Sequence, residues 1–138
     1  MGTVIRNEIS ANSKYYISKH RYLELKHFCL QYPEWQKLYA TIQKYPESNM
    51  LAICKTFNYN QEKFVETQAI KAAEISRCMN LVKKCAIEAD KDLSDYIFKA
   101  VTQDLSYPYL SAKLEIPAGR DMYYDRYRKF FWLLDKER

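Results

Sequence analysis

Apolar positions recur at three- and four-residue steps over most of the chain, which is the period of an α-helix. Tyr22, Leu25, Phe28, Cys29 and Tyr32 form the first such stripe, and Ser18 is placed to cap a helix over Lys19 to Leu30. Pro33 disfavours the α conformation in the residue before it, so it ends that helix. It also suits the start of a second helix, running to Lys44 with Trp35, Leu38, Tyr39 and Ile42 as its stripe. Tyr45-Pro46-Glu47-Ser48-Asn49 reads as a loop. In Met50-Leu51-Ala52-Ile53-Cys54 the period does not separate helix from strand. From Asn60 to Ala89 the helical pattern is long and free of Gly and Pro. Phe64, Ala69 or Ile70, Ala73, Ile75, Cys78, Met79, Val82, Cys85 and Ala86 are its expected inward positions. At 1.5 Å per residue it spans about 45 Å, more than a compact domain of this size needs. It therefore protrudes, breaks or packs on a second chain, and a homodimer through it is expected.

The last third has the clearest punctuation. Asp92-Leu93-Ser94-Asp95 opens a helix with acidic residues at its positive end, and Leu93, Tyr96, Ile97, Ala100 and Val101 form its stripe. Ser106 caps a short helix that tolerates Pro108 in its first turn, with Leu110 and Leu114 facing inward. Glu115-Ile116-Pro117-Ala118-Gly119 makes a tight connection to a last helix over Arg120 to Lys136. A helix, a short capped helix, a turn and a longer helix is the layout of a helix-turn-helix, and Leu110, Leu114, Ile116 and Met122 are its expected anchors. The reading is an all-α chain in three parts. These are a flexible arm at 1–13, a helical region with a long central helix at 14–91, and a helix-turn-helix-like unit at 92–138.

Composition narrows what such a chain does. Two glycines in 138 residues, Gly2 and Gly119, exclude a glycine-rich phosphate loop. No apolar run is long enough to cross a bilayer, which takes about 18 residues. Residues 1–12 hold no apolar signal core, and Cys29, Cys54, Cys78 and Cys85 lack C-x-x-C or zinc spacing, so reduced thiols in the cytoplasm are expected. The net charge is +5, carried by residues 1–91, because 92–138 hold eight Lys/Arg and eight Asp/Glu. A mildly basic chain is compatible with nucleic acid without requiring it.

The segment Ser106-Tyr107-Pro108-Tyr109-Leu110, followed by Ile116-Pro117-Ala118-Gly119-Arg120-Asp121-Met122-Tyr123-Tyr124-Asp125-Arg126-Tyr127-Arg128-Lys129-Phe130-Phe131-Trp132, resembles the end of small phage and prophage proteins of Gram-positive bacteria. It also resembles late transcriptional activators of the RinA/ArpU kind, in which a sigma-factor-like helix-turn-helix ends in a tyrosine- and arginine-rich helix. The resemblance covers the C-terminal third and implies transcription-regulatory DNA binding in a host bacterial cell. Ser111 and Glu115 stand where many helix-turn-helix units place Ala and Gly, and the turn is one residue longer.

On its own terms, the last helix divides by 100° steps. Tyr123, Tyr127, Phe130 and Leu134 share a narrow arc, with Phe131 and Arg120 beside it, and predict the buried stripe. The opposite arc holds Asp121, Asp125, Arg128, Trp132 and Lys136, flanked by Tyr124 and Lys129. Read as a recognition helix, it puts Arg128 and Tyr124 on bases or phosphates of double-stranded DNA, with Arg120 and Lys129 on the backbone. Read as a solvated face, it holds Asp/Arg pairs such as Asp125–Arg128, worth tenths of a kcal/mol. Asp121 and Asp125 repel phosphate. Together with Trp132, on the polar side, they suit an interface with a host protein or nucleoprotein, as in an anti-CRISPR-like inhibitor. Trp132 is alternatively covered by the N-terminal helices. Lys14-Tyr15-Tyr16, Lys19, Arg21-Tyr22 and Lys26 mix charge and rings in the manner of a nucleic-acid surface, or of tyrosines lying between core and water.

Catalytic chemistry finds little support. His20, Glu24 and His27 share a helical face without H-E-x-x-H order. Glu88, Asp90 and Asp92, or Asp121 and Asp125, lack a third element to hold a cation. No nucleophile motif is present, so no enzyme, metal or cofactor is expected.

Overall fold

The computed structural model describes residues 14–44 and 60–138. The expected arm, the loop at 45–49 and the ambiguous run at 50–59, with Cys54, lie outside the described residues. Among the described residues the chain is all-α, with the elements α1 (Lys19–Leu30), α2 (Tyr32–Lys44), α3 (Gln61–Ala89), α4 (Ser94–Gln103), α5 (Tyr107–Lys113) and α6 (Arg120–Glu137).

The helix boundaries follow local chemistry. Ser18 is extended and its Oγ accepts from the Arg21 amide at 3.3 Å. Ser106 does the same for Tyr109 at 3.4 Å, ahead of Pro108 in the first turn of α5. Each hydroxyl satisfies one of the donors that a helix start leaves over. At the far end of α4, Asp104 adopts the left-handed conformation (φ 56) and the Leu105 amide returns to the Ala100 carbonyl. Glu115 takes the same conformation (φ 51) after α5, where the Ile116 amide bonds the Leu110 carbonyl. That is the place where a helix-turn-helix usually carries glycine, and here a residue with a Cβ holds it at some strain.

The chain divides into two compact units. One comprises residues 33–79, with α2 and the first part of α3; the other comprises the residues up to Tyr32 together with Asn80–Arg138. In the second unit α1 packs on α4 and α6, and α4 packs on α6. The tail is therefore not self-contained, because Leu25, Phe28 and Cys29 of α1 and Val82 and Cys85 of α3 are buried in the same core as Ile97, Leu110 and Phe130. Tyr32 meets Phe98 edge-on at 4.9 Å.

Several expected inward positions face solvent. Leu38 is exposed on α2, as are Ala69, Ile70 and Ala73 on α3, and Met122 is exposed at the start of α6 rather than anchoring the turn. Farther along α3, Ile75, Val82, Cys85 and Ala86 are buried as the period predicts.

Asp90 joins three elements. Its Oδ1 accepts from the Asp92 and Leu93 amides at 2.9 and 3.1 Å, which shapes the turn from α3 into α4. Its Oδ2 lies 3.2 Å from Nε of Arg126 on α6. The same carboxylate thus links the α3–α4 turn to the last helix.

Candidate nucleic-acid interface

α6 is built around its aromatic stripe. Tyr123, Tyr127, Phe130, Phe131 and Leu134 are buried, as the 100° steps predict. Their rings run as a chain of contacts, Tyr123 tilted against Tyr127 at 5.7 Å and Tyr127 edge-on to Phe131 at 5.0 Å, with Tyr22 of α1 edge-on to Phe131 at 5.0 Å. The hydroxyls of Tyr22 and Tyr127 lie 3.4 Å apart in the core. Burial pushes the Tyr127 phenol well above its ordinary value, and the adjacent Tyr22 adds to the shift. At the other end Tyr107 of α5 leans on Tyr123 at 5.4 Å and donates its hydroxyl to the Ala118 carbonyl at 2.9 Å. That bond holds the turn before α6.

Ion pairs fix both edges of the helix. On one, Arg21 Nε donates to Asp135 Oδ1 at 2.6 Å, a bond that raises the guanidinium above its ordinary value. On the other, Lys84 of α3 reaches Glu137 at 3.5 Å, and Arg126 reaches Asp90. Arg126 also lies 3.5 Å from Asp125. Asp125 thus pairs with its neighbour and not with Arg128. Asp121 is exposed in the first turn, where the helix macrodipole favours a carboxylate.

The remaining cations stay on the outer side. Arg120 is exposed and sits over the Tyr124 ring at 5.6 Å. Arg128 and Lys129 are half-buried, and among the described residues neither forms an ion pair. Lys136 lies over the Trp132 ring at 3.3 Å from its centroid. Trp132 itself is half-buried and meets Tyr15 edge-on at 5.4 Å, so the segment just ahead of α1 partly covers it. Lys136 and Tyr15 are the participants that the sequence reading did not assign. The position of Lys136 four residues after Trp132 is a legible signal, whereas the approach of Tyr15 depends on the packing of α1.

The other candidates resolve into structural roles. In the N-terminal mixture Arg21 is engaged by Asp135 and Glu24, and Lys26 pairs with Asp104 at 3.7 Å. Lys14 and Lys19 remain exposed, Lys14 lying over the Tyr15 ring at 5.4 Å. Glu24 is bound to Arg21 at 3.0 Å and Arg138 at 3.2 Å, between the exposed His20 and His27. Among the described residues no group of His, Cys, Asp and Glu could hold a metal ion. Cys29, Cys78 and Cys85 are free thiols. Burial pushes Cys85 up to about 12, with Glu88 and Glu137 adding to it, and raises Cys29 through burial and the neighbouring Cys85. Neither is poised as a nucleophile. No helix is long and apolar enough to cross a membrane, among the described residues. No protein-family model, curated protein or solved structure matches the chain.

Proposed function

We propose that the protein binds double-stranded DNA on the outer side of α6, as a transcription-regulatory factor. One observation carries the reading, namely the way charge is divided over that helix. The C-terminal third is neutral by composition, yet Asp135 and Glu137 are drawn into pairs with α1 and α3, and Asp125 is held by Arg126. Arg120, Arg128, Lys129 and Lys136 form no ion pair among the described residues, and the carboxylates beside them are Asp121 and Asp125, the latter shared with Arg126. The exposed first turn of α6, Arg120-Asp121-Met122, is the part of a recognition helix that meets base edges. Arg128 and Lys129 flank the same face and suit phosphates on either side.

Binding of this kind is dominated by counterion release, with a log–log salt slope of about −0.9 per phosphate neutralised. Fluorescence anisotropy on a labelled duplex across a salt series is the test. Arg128→Ala and Lys129→Ala should each weaken binding across all sequences and make the slope shallower by about one. Absence of duplex binding by the parent protein at low salt would end this reading.

A second reading, docking on a host protein or nucleoprotein, is favoured by Asp121 and Met122 standing exposed side by side, Met122 at 49%. Under it, Asp121→Lys and Met122→Lys abolish co-purification with the partner while Arg128→Ala does not.

A further inference from the structure

The outer side of α6 carries an order beyond its charge. Arg120, Tyr124, Arg128, Trp132 and Lys136 follow one another at four-residue steps, so that cation and ring alternate along one ridge. Each step rises about 6 Å and turns about 40°, which keeps the series on a single slowly winding line. The end members are in contact as cation and ring, Arg120 with Tyr124 at 5.6 Å and Lys136 with Trp132 at 3.3 Å. Arg128 stands between the two rings and forms no ion pair among the described residues. Tyr15, edge-on to Trp132, and Lys14, over Tyr15, carry the same alternation on to the segment before α1. The buried stripe accounts for one edge of this ridge, where the Tyr124 ring meets Tyr123 at 5.2 Å and Tyr107 at 6.2 Å, but not for Arg128, Trp132 and Lys136 farther round the helix. The nearby carboxylates Asp125 and Asp135 are occupied by Arg126 and Arg21.

We infer that this ridge takes the unpaired bases of a single nucleic-acid strand, with Tyr124 and Trp132 as stacking platforms and Arg128 on the phosphate between them. The inference rests on the nucleic-acid reading above and refines it. A ring that carries a cation offers an electron-rich face within reach of solvent. A nucleobase competes for that face through its own π-surface. On Trp132 it displaces the Lys136 ammonium, which then lies beside the strand and takes up a phosphate. In a duplex the base faces are stacked on one another, so paired DNA engages only the cations of the ridge. An unpaired strand engages cations and rings together, and base–aromatic stacking tolerates any sequence. The protein thus favours DNA or RNA with an open, unstacked stretch.

The test titrates the full chain with oligo-dT, oligo-U and a hairpin duplex of equal length, following tryptophan emission and anisotropy in parallel. Oligo-dT or oligo-U should quench the emission, and the quenching should vanish in Trp132→Phe, which leaves Trp35 as the reporter. Trp132→Ala should weaken single-strand binding about fivefold or more and leave duplex binding unchanged. Arg128→Ala should weaken both. Quenching by oligo-dT alone assigns the strand to DNA, by oligo-U alone to RNA, and by both to either, each in support. Duplex binding without quenching by either oligonucleotide overturns this inference and leaves the DNA reading intact. Failure of every probe to bind overturns both. The quenching arm uses the parent protein, so a poorly folded variant does not decide the outcome.

Discussion

Replacing Asp90 by Ala tests whether one carboxylate holds the α3–α4 turn and the last helix together. The variant loses two backbone hydrogen bonds, from Asp92 at 2.9 Å and Leu93 at 3.1 Å, and the pair with Arg126 at 3.2 Å. The Asp92 amide is exposed and water replaces its acceptor, so its loss costs little. The Leu93 bond is part-buried and accepted by a charge, worth about 1.5 kcal/mol. The Arg126 side chain is 33% exposed and that of Asp90 12% exposed, so solvent screens the pair to about 1 kcal/mol. Together the loss is roughly 2–3 kcal/mol. Asp90→Asn keeps an oxygen for the Leu93 amide and should cost about 1 kcal/mol, as should Arg126→Gln. The double variant should cost little more than either single one, since both remove the same pair. The assay is urea unfolding in a Trp35→Phe background, so that Trp132 alone reports on the unit containing α6. An Asp90→Ala loss within about 0.5 kcal/mol of the parent, or two single losses that simply add, would show that Asp90 does not couple the turn to α6.

Phe130 is fully buried, and Phe130→Ala should destabilise by about 3–5 kcal/mol in the same urea assay. Glu115→Gly relieves the left-handed strain, about 1–2 kcal/mol, against about 0.5–1 kcal/mol of added chain entropy, so a small rise in thermal midpoint is expected. Cys85 moves from the ordinary 9.0 to about 12 on folding, so the folded state favours the neutral thiol. Its contribution is full below pH 9 and is lost as pH rises toward 12, and Tyr127 acts in the same direction; urea midpoints should fall through that window, and less steeply in Cys85→Ala. At neutral pH a thiol reagent should modify the half-buried Cys78 well before Cys29 or Cys85, read by peptide mass mapping.

Much of this architecture was legible in the residues alone. Ser18 and Ser106 mark helix starts because a hydroxyl at that position has a fixed local partner, and the α6 stripe emerges from rotation by 100° per residue. Met122, Leu38 and Ile70 were misplaced for a physical reason. Periodicity gives the angle at which a side chain leaves its helix, but not whether another element stands there to cover it. The charge pairing was illegible for a related reason, since Arg21 and Asp135 lie 114 positions apart and meet only because α1 packs on α6. The four-residue alternation from Arg120 to Lys136 was open to reading, but a count of apolar positions passes over it because cations and rings fall in different classes.

The packing of α1 against α6 also bears on how the chain is made. A ribosome releases Tyr22, Leu25 and Phe28 long before it reaches Phe130 and Leu134, the surfaces that shelter them. Over that interval the α1 side chains lack the surface that buries them in the folded chain, a long-range closure of the kind that slows folding. Burial of the α1 stripe therefore waits on synthesis of the last helix.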